Sequence, residues 1–557
     1  MKKYHQICCV ISMIGILFTL MVLNACDSES SSIEPAHILD SSMNMSVMTL
    51  MDQATLPSEI MDLTSPELML VDQGVIDMTM QDFEAPRPNI TPSVAYQVVP
   101  CLEYVEQDID GIECAFLTMS QNRVRDTTRE IKLFVVRPQS PPNRDVLPVV
   151  VLAGGPGAAH TSFAARKALP ITMSQLLNRE VIYYEQRGIA PSIPSTICPA
   201  LDTATFPSVA FANCREELES EGVDIHSFHT IENAADIAEI PNILGFEKID
   251  LIAGSYGTRL AAHVLSRHPE SIRAAVLGGV DVPHANPDDS FPIFLEVLQQ
   301  AATQYGQSCR TNEMCNTIHP NFDYATIMNQ LQVLIERDGS VELFGVSVTH
   351  VDQIPELAFQ MMYIAQIRNL FFGLLYHVAD ESLPSYLMYV GEGNAEAGAD
   401  FIFQLITTAQ QSVFGGSSVM SYITRCYDGD EGACQVIRDR IDDYPTMDFM
   451  QITGSEHPVL FLSGALDPAT PVAHMELMTP LFPTHKHSIF ECLGHDVSRI
   501  SNLANGNCVV DQVRTFLDDP TADLPNCAPA LCDALPLVPN QTQLIEQLSD
   551  YVENFDE

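Results

Sequence analysis

The chain has 557 residues, 46% hydrophobic and 18% charged, a length that allows one large domain with an insertion or two to three domains. The apolar fraction excludes wholesale disorder. Twenty-seven Lys and Arg against 72 Asp and Glu leave a formal charge of −45, which excludes nucleic acid as a partner and docking on anionic lipid through basic residues.

Lys2 and Lys3 precede an apolar run, Ile7 to Leu23, that is short for a membrane span. The run ends in Leu23-Asn24-Ala25-Cys26, which resembles the lipobox of bacterial lipoproteins. That resemblance implies a signal peptide over 1–25, cleavage before Cys26, and a diacylglyceryl group on its sulfur. The protein is then expected in the bacterial cell envelope, held to a membrane through the lipid only. A plain secretory signal or an uncleaved anchor are the other readings. Residues 26–95 are expected to form an acidic flexible tether, with twelve acidic residues, one basic residue (Arg87) and scattered prolines. Its eight methionines are irregularly spaced without a histidine cluster, so a stalk is favoured over a copper site.

Beyond Cys8, Cys9 and Cys26, twelve cysteines fall into near neighbours: Cys101/Cys114, Cys198/Cys214, Cys309/Cys315, Cys426/Cys434, Cys492/Cys508 and Cys527/Cys532. No C-x-x-C occurs, so zinc and thioredoxin-like redox sites lose their signature, and no metal or cofactor is expected. Sequential disulfides in an oxidising, extracytoplasmic compartment are the economical expectation.

From residue 130 apolar runs alternate with helical stretches, an α/β pattern. Predicted strands are Ile131–Val136, Leu147–Leu152, Val181–Tyr184, Ile249–Ile252, Ala274–Leu277 and Val459–Leu462. Residues 284–450 show helical periodicity with few strand signals, as at Phe291–Ala302. They are expected to cap a core made of 96–283 and 451–557.

Ile249–Thr258 carries a β-run into Ala253-Gly254-Ser255-Tyr256-Gly257 and then an amphipathic helix, the pattern of the nucleophile elbow of α/β-hydrolases. Such a turn lifts a serine Oγ to a helix N-terminus, where negative charge is stabilised. Upstream, Val149–Leu152 runs into Ala153-Gly154-Gly155-Pro156-Gly157. Amides presented there suit an oxyanion hole formed by Gly155 and Tyr256. A phosphate loop lacks its GK[ST], and Gly391-Glu392-Gly393 lacks the third dinucleotide glycine. Downstream, a late strand leads to Asp467 and the next loop to His495, so acid and base follow the serine in the hydrolase order. His495 would take the Ser255 proton, and Asp467 would hold the imidazole tautomer. Asp281, after an earlier strand, is the rival acid. Asp496 is expected to point away.

Three segments in order, Ala153–Gly157, Tyr184-Glu185-Gln186-Arg187-Gly188 and Gly254–Thr258, resemble the prolyl iminopeptidase and tripeptidyl aminopeptidase family of serine peptidases. The likeness extends to Gly464…Asp467-Pro468…Thr470-Pro471, Gly494-His495 and the C-terminal cysteines, which look like the tripeptidyl-aminopeptidase branch. Ala153, Glu185, Gly278 and Asp496 depart from the usual residues. The resemblance implies an α/β-hydrolase fold: about eight mostly parallel strands flanked by helices, with a largely helical cap. It implies acyl transfer through Ser255, with Gln186 and Arg187 bracing the oxyanion loop or forming a surface turn. An exo-acting aminopeptidase is expected, taking a peptide or small acyl substrate. Carboxylates such as Asp288, Asp289 and Glu296 are candidates for its amine, and none is singled out. An esterase or thioesterase on the same triad, or an idle surface binding protein, are the alternatives. No sequence feature sets an oligomeric state.

Overall fold

A computed structural model describes residues 95–548, except 106, 108, 124–127, 205, 283–286, 344–345, 414–417, 428–429, 438–450, 499–507, 528–531 and 533–534. The expected signal, Cys26 and all but the last residue of the tether lie outside the described residues. Nine strands form one sheet: β1 (Tyr96–Val99), β2 (Ile112–Ser120), β3 (Glu130–Pro138), β4 (Val149–Leu152), β5 (Val181–Tyr184), β6 (Ile249–Gly254), β7 (Ile272–Gly278), β10 (Val459–Gly464) and β11 (His485–Phe490). A separate hairpin pairs β8 (Val341–Leu343) with β9 (Val346–Val348). The sheet order is β1-β2-β3-β5-β4-β6-β7-β10-β11. From β5 to β11 neighbouring strands run parallel; β1, β2 and β3 enter antiparallel.

The central strands are Val/Ile/Leu-rich because both of their faces are covered. Alternation assigns each residue a side. Val150, Leu152, Ile182, Leu251, Leu277 and Phe461 join one apolar cluster with the helices Thr230–Leu244 and Tyr256–Arg267. Val149, Val181, Val276, Leu460 and Leu462 join another, against the helices Leu169–Leu177 and Cys508–Asp518. β11 escaped sequence notice because it is an edge strand, His485-Lys486-His487-Ser488-Ile489-Phe490, mostly half-buried and without an apolar run.

A third cluster, from Phe294 to Leu405, is built by helices of the insertion between β7 and β10. Leu466, Val538 and Leu544 pack into it, so the C-terminal segment is part of that body. The helices Val419–Tyr427 and Glu431–Ile437, by contrast, contribute Val419, Ile423, Cys426 and Ile437 to the sheet cluster.

Among the described residues six disulfides form, which mark an extracytoplasmic protein. Four follow the sequential expectation; the last two do not. Cys492 bonds Cys532, and Cys508 bonds Cys527. The reason is the helix Cys508–Asp518: it carries the chain away for about three turns. The segment after it returns antiparallel, so Cys527 comes back beside Cys508, and Cys532 is carried on to Cys492. Among the described residues no helix is long and apolar enough to cross a membrane.

Candidate active site

All the parallel strands finish at one edge of the sheet, where ligands bind in folds of this kind. There β6 ends at Gly254 and a helix starts at Tyr256. Ser255, between them, has φ +54° and ψ −132°. A side-chain-bearing residue pays about 1–3 kcal/mol for such a backbone, which persists only when its surroundings over-determine it. Here they do. The Ser255 amide donates to Gly278 O at 3.0 Å, and Ser255 O accepts from Thr258 N at 2.8 Å and Thr258 Oγ1 at 2.7 Å. Packing dictates the small residue that follows, since a Cβ on Gly257 would lie 2.6 Å from Leu152 O.

β10 delivers Asp467 and β11 delivers His495. The His495 Nδ1 lies 2.9 Å from Asp467 Oδ2 and 3.1 Å from Oδ1. Asp467 is fully buried and also accepts from Ala469 N at 2.9 Å, Thr470 N at 2.8 Å and Thr470 Oγ1 at 2.5 Å. Burial by itself raises its pKa; the His495 charge and these hydrogen bonds outweigh burial and hold the carboxyl below its usual range. Ser255 and His495 flank the end of β7. The first hangs on Gly278 O, and a Cβ on Gly279 would stand 3.4 Å from His495 Cε1. Asp281, the rival acid, pairs instead with Arg259 Nη2 at 2.8 Å.

The glycine loop after β4 lies against Ser255: a Cβ on Gly154 would be 3.0 Å from Ser255 Cβ and 3.4 Å from Oγ. Gly155 has φ +111°, a conformation suited to glycine. Tyr256 opens the helix Tyr256–Arg267, so its amide is among those without an intrahelical acceptor. Gln186 Nε2 donates to Ala153 O at 3.1 Å and Gly154 O at 3.3 Å, at the root of that loop. Glu185 grips its far end, Oε2 accepting from His160 N, Thr161 N and Thr161 Oγ1. Burial pushes the Glu185 carboxyl up to about 7 against those bonds.

Arg187 does not share this task. It is fully buried and forks onto Asp236, both bonds at 2.7 Å, with Nη1 on Gln121 O and Ser227 O. Consecutive residues after β5 face opposite ways, so one of the expected pair meets the glycine loop after β4 and the other meets the helix Thr230–Leu244.

Asp496 turns its carboxylate to the insertion: it is buried, its amide donates to Tyr363 O at 2.9 Å, and its Oδ2 accepts from Ala365 N at 3.3 Å. Glu296 is exposed on the helix Pro287–Thr311, and the side chains of Asp288 and Asp289 lie outside the described residues. Cys309, Cys315 and His319 place ligand-type atoms within 4.8 Å of one another, but the two sulfurs are bonded together.

Two family models match the chain: the α/β-hydrolase fold over residues 148–341, which holds Ser255, and a TAP-like protein over 430–528, which holds Asp467 and His495. With the parallel sheet and the elbow, that decides the fold. The chain has the α/β-hydrolase fold. It is 24% identical over 187 residues to serine protease Hip1 of Mycobacterium tuberculosis, covering 30% of this chain and 36% of that one. It is 25% identical over 214 residues to the putative hydrolase YuaR of Escherichia coli, covering 37% and 43%. It thus spans less than half the length of the curated relatives it matches. A serine hydrolase from a Cycloclasticus bacterium overlaps 74% of this chain and all of its own at 14% identity, with a TM-score of 0.33, too low to bear on the fold.

Two residues of the site had no assigned role in the sequence reading. Thr470 bonds the Asp467 carboxylate and lies 3.0 Å from His495 Nδ1; its place three residues after the aspartate was the available signal. Tyr363 sets its ring edge-on against His495, centroids 4.8 Å apart, from a segment with no sequence link to the histidine.

Proposed function

We propose that the protein is a serine hydrolase, and specifically a serine peptidase, in which Ser255 is the nucleophile, His495 the base and Asp467 its orienting acid. The buried Asp467–His495 hydrogen bond beside the strained Ser255 carries the reading. Ser255 Oγ attacks an amide or ester carbonyl while His495 Nε2 takes its proton; the imidazolium then protonates the leaving amine or alcohol. The amides of Tyr256 and Gly155 receive the oxyanion, the glycine loop held at its root by Gln186. Water, deprotonated by His495, clears the acyl-enzyme.

The substrate is a short peptide with a free N-terminus, cleaved in exo fashion. The TAP-like match and the named serine protease among its relatives support this choice over an esterase. Fluorogenic peptide amides with free or acetylated N-termini, set beside short acyl esters, test it. The free-amine amides should be cleaved at least about tenfold better; equal cleavage of acetylated peptides or a preference for esters overturns the peptide assignment. The protein acts outside the cytoplasm, tethered by a lipid on Cys26, with no nucleic-acid partner. A mature N-terminus other than Cys26 would overturn the anchor.

A further inference from the structure

His495 sits in a loop that the insertion grips from Cys492 to Asp496. Arg368 Nη2 donates to Cys492 O at 2.7 Å. From the turn after β10, Leu466 N donates to Leu493 O at 3.0 Å. A Cβ on Gly494 would lie 2.4 Å from Met362 O and 2.9 Å from Tyr363 O, so the two backbones are in contact. The Tyr363 ring meets the His495 ring, and the Asp496 amide donates to Tyr363 O. The helix Ala365–Ala379 starts at this point. Its own N-cap residue, Ile364, has no side chain able to bond the first amides. The carboxylate of Asp496, from the far side of the junction, accepts the Ala365 amide and brings negative charge to the positive end of the helix.

We propose that Asp496 is a positioning residue: it docks the N-terminus of the helix Ala365–Ala379 onto the histidine loop and thereby holds the His495 backbone while Asp467 holds its ring. The proposal rests on the serine-hydrolase reading of the same site.

Arg368 completes the device. It lies one turn into that helix, is buried, and attracts Asp496, while Asp496 Oδ1 and Arg368 Nη1 have no hydrogen-bond partner among the described residues. Their mutual attraction therefore stands against the cost of burying both charges. Burial pushes the Asp496 carboxyl up to about 6 despite Arg368, and Asp467 adds repulsion from the other side. A charge kept in so unfavourable a place is poorly explained by stability alone, since a buried pair is often replaced by apolar residues at no loss. A geometric duty at the loop accounts for it. Misplacing a reacting group by about 1 Å costs on the order of 100-fold in rate.

The experiment is the rate of covalent labelling of Ser255 by a fluorophosphonate, with its pH profile, on the wild type and on Asp496→Asn, Asp496→Gly and Arg368→Met. Thermal melting shows which variants are folded. Asp496→Gly should label about 10–100-fold more slowly, and Asp496→Asn, which keeps an acceptor for the Ala365 amide, should lose less. The acid limb of the profile should move to lower pH in both, because a negative charge beside His495 is gone; a purely structural role would leave it in place. Asp496→Asn with Arg368→Met should be non-additive. If Asp496→Gly does not fold, Asp496→Asn decides by the same limb. Folded Asp496 variants that label at the wild-type rate with an unmoved limb overturn the proposal alone. A wild type that is not labelled at Ser255 overturns the serine-hydrolase reading, and the proposal with it.

Discussion

Ser255 and His495 stand at the ends of nearby strands yet are held in opposite ways. Ser255 is fixed locally: Thr258, three residues on, takes its carbonyl, the next strand takes its amide, and the flanking glycines admit the neighbouring backbone. His495 is fixed from a distance, by Tyr363, Ala365 and Arg368 of the insertion and by the disulfide from Cys492 to Cys532, 40 residues downstream. The proposed nucleophile is positioned by strain within one turn, the proposed base by docking between two bodies. A strained turn is rigid as soon as its strand and helix form. A docked loop is only as well placed as the interface that grips it.

The widest separation is expected within the proposed triad. Ser255→Ala and His495→Ala should each cost on the order of 10⁴–10⁶ in kcat, and combined variants should be no worse than the singles because the residues act as a unit. Asp467→Asn should cost on the order of 10⁴ with the fold intact, by favouring the wrong tautomer. Asp281→Asn should retain most activity, since its carboxylate engages Arg259. Steady-state rates on one peptide amide compare the two aspartates directly; collapse of Asp281→Asn alone would move the acid role.

The neighbours Gln186 and Arg187 divide function from stability. Arg187→Met should leave Asp236 short of a partner in the core and cost about 3–5 kcal/mol in urea denaturation, with little change in kcat per folded molecule. The docked side also depends on a covalent staple. Cys532→Ser should cost about 2–4 kcal/mol and release the C-terminal segment from the histidine loop. Non-reducing peptide mapping should recover the 492–532 and 508–527 links; recovery of 492–508 would undo the account of this junction. Gln186→Ala should melt near the wild type but lower kcat by about 10–100-fold, because the oxyanion loop loses its donor at Ala153 and Gly154.

The smallest effect concerns pH. Glu185 is raised to about 7 and Asp496 to about 6, both by burial. An acid whose folded pKa is raised contributes stability that is complete below its unfolded pKa and is lost as pH rises through the folded value. Stability should therefore fall between about pH 4.5 and 7 by up to about 1 kcal/mol per pH unit from Glu185, and Glu185→Gln should flatten that slope. A curve unchanged in the variant would remove Glu185 as its source.

What the amino-acid order determined by itself was whatever repeats at short range. Val149–Leu152, Val181–Tyr184 and Val459–Leu462 declared strands because their apolar runs are buried on both faces. The elbow declared itself because strain at Ser255 demands small neighbours within two residues. The order Ser255, Asp467, His495 was legible because each follows a readable strand or glycine turn. Tertiary structure alone decided the rest. Cys492 finds Cys532 because a helix carries the chain away and back; Arg187 turns from the loop its neighbour supports; Asp496 meets the amide of Ala365. Each of these depends on where two separately folded segments come to lie, and neither segment carries that distance in its own periodicity or spacing.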